Sequence, residues 1–102
     1  MQFKWKVNYC DAHRNCYGLE NVIFFIDADL ILEDGDQEFR ENLSMGVPYY
    51  PDAPFVSYQA LTEETVIGWI DNILLPEEIQ RVKRILSDQM SRVYRIKFNA
   101  GL

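Results

Sequence analysis

Phe3, Trp5, Val7 and Tyr9 alternate with Lys4, Lys6, Asn8 and Cys10, and this period of two predicts a strand with one buried face over residues 2–10. From Asp11 to Glu20 polar residues and Gly18 break the alternation, which predicts a long hairpin loop. Asn21 to Glu33 is dense in β-branched and aromatic residues, the composition of a central strand. Alternation there puts Val22, Phe24, Ile26, Ala28, Leu30 and Leu32 on one face, and Ile23, Phe25, Asp27, Asp29 and Ile31 on the other. Asp34-Gly35 predicts a tight turn, because a type I′ hairpin needs positive φ at both central positions. A third strand follows from Gln37 to Val47, with Phe39, Leu43, Met45 and Val47 inward and Glu41 interrupting the row, as at a sheet edge.

The pattern then changes. Pro48, Pro51 and Pro54 recur every three residues, which predicts a stiff, extended crossover of polyproline II type. Thr62 as N-cap, Glu63 and Glu64 in a first turn, and Leu61 with Val66 at staple positions start a helix. Its apolar stripe is Val66, Ile67, Ile70, Ile73 and Leu74. Pro76, Glu77 and Glu78 suit the first turn of a second helix. There Ile79, Val82, Leu86, Met90 and Val93 face one way, while Arg81, Arg84, Asp88, Arg92 and Arg95 face the other. The expected architecture is a single α+β domain over residues 1–102, a three-stranded antiparallel sheet followed by two C-terminal amphipathic helices packed on one face. The other face is then short of cover, and its Ile23, Phe25 and Ile31 row predicts a homo-oligomer.

Composition narrows the function. The chain has 102 residues, 48% of them hydrophobic and 25% charged, an ordinary globular balance. Ten Lys and Arg against 16 Asp and Glu give a net charge of −6, which argues against direct nucleic-acid binding through phosphate contacts. The longest uninterrupted apolar run is Val22 to Ile26, far short of the ~20 residues of a membrane span, so no membrane association is expected. The start at Met1 lacks the apolar core of a secretory signal, which points to a cytosolic protein with Cys10 and Cys16 reduced. Charge is divided along the chain. Residues 1–75 hold four basic and 13 acidic side chains, net −9, and residues 76–102 hold six basic and three acidic, net +3.

The stretch Phe55-Val-Ser-Tyr58-Gln-Ala-Leu61-Thr62-Glu63, continued by Val66-Ile-Gly-Trp69 and accompanied by Trp5 in a first strand, resembles small uncharacterised proteins of tailed bacteriophages. The resemblance covers about half of the chain and departs from that pattern at the Leu75-Pro76 join and in the Pro- and Tyr-rich crossover. It implies a phage origin, with cyanobacterial hosts, and action in the host cytoplasm during infection. It brings no catalytic residue and no cofactor.

Three groups of residues could carry chemistry. Cys10, His13 and Cys16 form Cys-x2-His-x2-Cys, and thiolate and imidazole are zinc ligands. Zinc fingers use two separated pairs, so no metal is expected here, and a Cys10 to Cys16 disulfide is an alternative in oxidising surroundings. Asp27 and Asp29 stand two apart on one strand face, a pair able to bind magnesium or serve as acid and base if a cleft shifts one pKa. The calcium-loop template fails at Ile31. Tyr49 and Tyr50 beside the prolines suit a recognition surface or, equally, a cap on the end of the sheet packed against the first helix, while Phe55 and Tyr58 suit the core. The Arg81, Arg84, Arg92 and Arg95 face is a solvated helix side or a dock for an acidic surface. The expected function is that of a small non-enzymatic accessory protein that binds itself and an unknown host or phage protein. Ile23, Phe25, Ile31, Tyr49 and Tyr50 are its candidate contact residues, and no cofactor is expected. A metal-dependent hydrolase using Asp27 and Asp29, or an acidic nucleic-acid mimic, are the alternatives.

Overall fold

The computed structural model of the chain describes residues 1–14, 22–48 and 60–98. Cys16, Tyr49, Tyr50, Phe55, Tyr58 and the crossover prolines Pro51 and Pro54 lie outside the described residues. Three strands, β1 (Gln2–His13), β2 (Val22–Asp34) and β3 (Gln37–Gly46), precede two helices, α1 (Glu63–Ile73) and α2 (Pro76–Arg92). The strands form one antiparallel sheet in the order β1-β2-β3, so the most apolar strand is central and β1 and β3 are edges. The fold is α+β, as the patterning predicts.

The β2–β3 turn sits one residue later than expected. Asp34 pairs with Gln37, leaving Gly35 and Asp36 as the two loop residues, with Gly35 at φ 62°. A positive φ at the first loop position is common to both favoured two-residue hairpin turns, and Gly adopts it without strain. From there β3 keeps an unbroken register with β2 to Gly46, and Phe39 and Met45 are buried as their alternation requires.

β1 departs from strict alternation twice. Its register shifts between Val7 and Tyr9, where Asn8 has no partner, and again between Asp11 and Ala12, where Phe24 of β2 is skipped. A bulge moves every later side chain to the opposite face. Phe3, Trp5 and Val7 therefore face the helices, but Tyr9 pairs with Asp27 on the open face, and Cys10, opposite Ile26, packs toward the core. At the second irregularity Ile23 packs against the Ile26 cluster and Phe24 is exposed, reversing the faces expected for both.

The helices divide the covered face between them. Thr62 caps α1, its hydroxyl accepting the Thr65 amide at 3.2 Å, and Leu61 packs against the cluster that holds Val66. Under α1 lie Ile26, Ala28 and Met45, closed by Val66 and Ile70. Under α2 lie Leu30, Leu32 and Phe39, closed by Val82 and Leu86, with Trp5 and Leu43 touching both clusters. Pro76 at the first position of α2 supplies no amide where none is needed, which allows the sharp join after Leu75. α2 ends at Arg92, Val93 is extended and residues 93–98 lie outside any helix, so neither Val93 nor Arg95 belongs to the helix faces expected of them.

Candidate functional site

No described element lies over the open face of the sheet, yet that face is not apolar. Asp27 and Asp29 occupy its centre, flanked by Asn8 from β1 and by Arg40 and Asn42 from β3. The Asn42 amide donates one hydrogen to each carboxylate, to Asp27 Oδ1 at 2.9 Å and to Asp29 Oδ1 at 2.9 Å. Asn8 Nδ2 donates to the same Asp27 oxygen at 2.8 Å, and Arg40 Nη1 reaches Asp29 Oδ2 at 3.2 Å. Arg40 also pairs with Glu38, and Lys4 with Glu33 at 2.6 Å, so the cross-strand neighbours Glu33 and Glu38 each have a base.

These partners fix the charge states. Burial pushes the Asp29 carboxyl up, but hydrogen bonds from Asn42, the neighbouring Asn8 and Arg40, with the Arg40 charge, outweigh it and hold the group below the usual carboxylate range. The hydrogen bond from Arg40 lowers Glu38 in the same way. A general acid needs a raised pKa, and Asp29 is shifted the other way. No cluster of three or more His, Cys, Asp or Glu side chains able to hold a metal occurs among the described residues. Lys4 pairs with Glu33, and Arg40 is shared by Glu38 and Asp29, so the negative charge of this face is partly compensated within the sheet.

The expected apolar row is much reduced. Ile31 is 2% exposed and offers no contact surface. Its cross-strand neighbours are Lys4 and Arg40, and long side chains held at their tips by Glu33 and Glu38 lay their methylenes beside the residue between them. Ile23 turns inward, as described. Phe25 remains half-buried on the open face and stacks on Tyr9 at a centroid distance of 6.3 Å. Cys10 is a half-buried free thiol, pushed up by burial and by the nearby Asp11, and His13 stacks on Phe24 at 4.1 Å.

The exposed apolar surface lies where the sequence reading placed a helix end. After α2 the chain runs through Val93, Tyr94, Arg95, Ile96, Lys97 and Phe98 outside any helix or strand, with Tyr94 72%, Ile96 70% and Phe98 89% exposed. One point ties this arm to the sheet. The Arg95 amide donates to Gln37 Oε1 at 2.9 Å, Gln37 Nε2 donates to the Arg95 carbonyl at 3.0 Å, and the Arg95 guanidinium sits 4.9 Å from the centre of the Phe39 ring. Alternation of Tyr94, Ile96 and Phe98 with Arg95 and Lys97 is the signal that would have found the arm.

The geometry is thus that of a two-layer α+β protein with a satisfied polar sheet face and a protruding apolar arm. The chain belongs to the family described as a domain of unknown function, DUF7936, whose model matches residues 1–102. No curated protein and no solved structure matches the chain.

Proposed function

We propose that this is a small non-enzymatic accessory protein of a tailed bacteriophage that works by protein–protein contact and associates with itself, acting in the host cytoplasm. The observation that carries the binding role is the run of exposed apolar side chains at Val93, Tyr94, Ile96 and Phe98. Exposed apolar residues gathered in one short segment lower solubility unless a partner covers them. The paired carboxylates, by contrast, have their oxygens taken up by Asn8, Asn42 and Arg40, which favours a structural role over hydrolysis. The phage origin is supported by the Tyr58, Leu61-Thr62-Glu63 and Trp69 resemblance, and a host or phage protein is the further partner proposed.

Light scattering coupled to size exclusion tests the reading. The expected mass is at least twice 12.0 kDa at micromolar concentration in low and in high salt. A monomer in every condition would remove self-association, and with it the main support for a binding role.

A further inference from the structure

Deepening that reading, we infer that the C-terminal arm of one copy adds as a strand to the free edge of β3 in a second copy. The backbone of β3 supplies the first argument. Val47 donates its amide to the Phe24 carbonyl at 2.9 Å, and the register of β3 on β2 is unbroken. In an antiparallel pair, bonded and unbonded positions alternate. The odd-numbered residues of β3 therefore bond to β2, while Glu38, Arg40, Asn42 and Ser44 aim their amides and carbonyls at the open edge. Among the described residues no strand pairs with that edge.

The arm is suited to fill it. Val93 is extended, residues 93–98 belong to no helix or strand, and Tyr94 to Phe98 alternate apolar with basic, so a strand they form has one apolar and one basic side. Placed along β3, the Tyr94, Ile96 and Phe98 side falls on the face of Leu43, and the Arg95 and Lys97 side falls on the face of Glu38. Charge favours this choice of surface. From Glu33 to Gly46 the hairpin holds five acids and Arg40, net −4, whereas residues 93–98 hold two bases and no acid, net +2.

The occupant is a second copy because the arm's own β3 is engaged differently. Within one chain the Arg95 backbone pairs with the Gln37 side chain and not with the strand backbone, so that among the described residues the edge groups of residues 38–44 pair with no strand. Each chain carries one arm and one β3 edge, so reciprocal docking of arm on β3 closes as a two-fold pair.

Hydrogen exchange on the full chain, read residue by residue at low and high protein concentration, tests the assignment. Amides of Glu38, Arg40, Asn42 and Ser44 should exchange about tenfold or more slowly at the higher concentration, with edge strand β1 unaffected. The triple variant Tyr94→Ser, Ile96→Ser, Phe98→Ser alters residues outside both core clusters and should run as a monomer with an unchanged circular-dichroism spectrum. Lys97→Pro, which in an antiparallel pairing removes an amide aimed at β3 while keeping the apolar side chains, should weaken association as well. A variant that stays dimeric, or a wild-type dimer whose four edge amides exchange as fast as in dilute protein, overturns the arm-to-β3 contact while leaving self-association standing. A wild-type monomer throughout overturns both.

Discussion

Ile31 and Leu32 are adjacent in β2, similar in size, point to opposite faces of the sheet and are both almost fully buried, at 2% and 0% exposed. Their burial has different origins. Leu32 lies beneath α2 among Phe39, Val82 and Leu86, in a layer whose atoms cannot be replaced by water. Ile31 lies on a face with no described layer above it, between the cross-strand neighbours Lys4 and Arg40 that ion pairs hold in place. Accessible area does not distinguish the two positions. What surrounds them does, because flexible polar chains can close over a deletion, or admit water, more cheaply than packed helices can.

The largest effect should come from the covered side. Leu32→Ala should cost about 3–4 kcal/mol, as lost transfer energy adds to a cavity under α2 that the packed layer cannot close. Denaturant unfolding of the full chain would show it as a lower midpoint with little change in slope. A loss below about 1 kcal/mol would mean that α2 settles onto the sheet.

The next effect concerns the turn that decides which residue falls on which face. Gly35→Val should cost about 1–3 kcal/mol, since a β-branched residue is strained at positive φ. The cost is conformational and not steric, because nothing lies within 4 Å of the position a Cβ would take. Gly35→Asn, which tolerates that backbone region, should recover most of the loss. Equal losses in both variants would place the strain elsewhere.

Ile31→Ala sharpens the contrast directly. It should cost about 1–2 kcal/mol, the transfer of the removed methylenes with little cavity penalty. Parity with Leu32→Ala would show that the open face is covered by a further layer, whether a second copy or part of residues 49–59.

The covered face was the more legible of the two in the sequence. Its evidence is local: the alternation of Ile26, Ala28, Leu30 and Leu32, the Thr62 cap and Pro76 each act within a few residues. The open face depends on pairing across strands. Only the register sets Lys4 and Arg40 beside Ile31, or lets Asn42 bridge Asp27 and Asp29. The bulge at Asn8 has no signature either, because Tyr9 and Cys10 are each acceptable on both sides of a sheet. At the end of α2, spacings of three from Met90 to Val93 and from Arg92 to Arg95 satisfy a helix, while alternation from Tyr94 to Phe98 satisfies a strand. The helix stops at Arg92, and the β-branched and aromatic content of the arm disfavours its continuation.

The smallest effect at neutral pH, and the one most specific to the open face, is the acid response of Asp29. Its carboxyl titrates below its ordinary value in the folded protein because Asn42, Asn8 and Arg40 outweigh the opposing effect of burial. A carboxylate with a depressed folded pKa stabilises the fold fully above its unfolded pKa of ~3.9 and loses that contribution as pH falls through the folded pKa. Asp29→Asn keeps the shape, gives up the charge facing Arg40, and brings an amide hydrogen toward a guanidinium or toward Asn42. The variant should therefore be less stable than wild type at neutral pH, and the gap should narrow as pH falls below ~4, where the carboxylate of the unfolded wild-type chain takes up a proton before the folded one does. Leu32→Ala, which removes no titrating group, should keep a constant gap across the same range. Melting temperatures of the three proteins from pH ~3 to ~7 would separate the faces by this criterion. A gap for Asp29→Asn as flat as that of Leu32→Ala would mean that the polar ladder holds Asp29 by shape alone, with its charge contributing nothing.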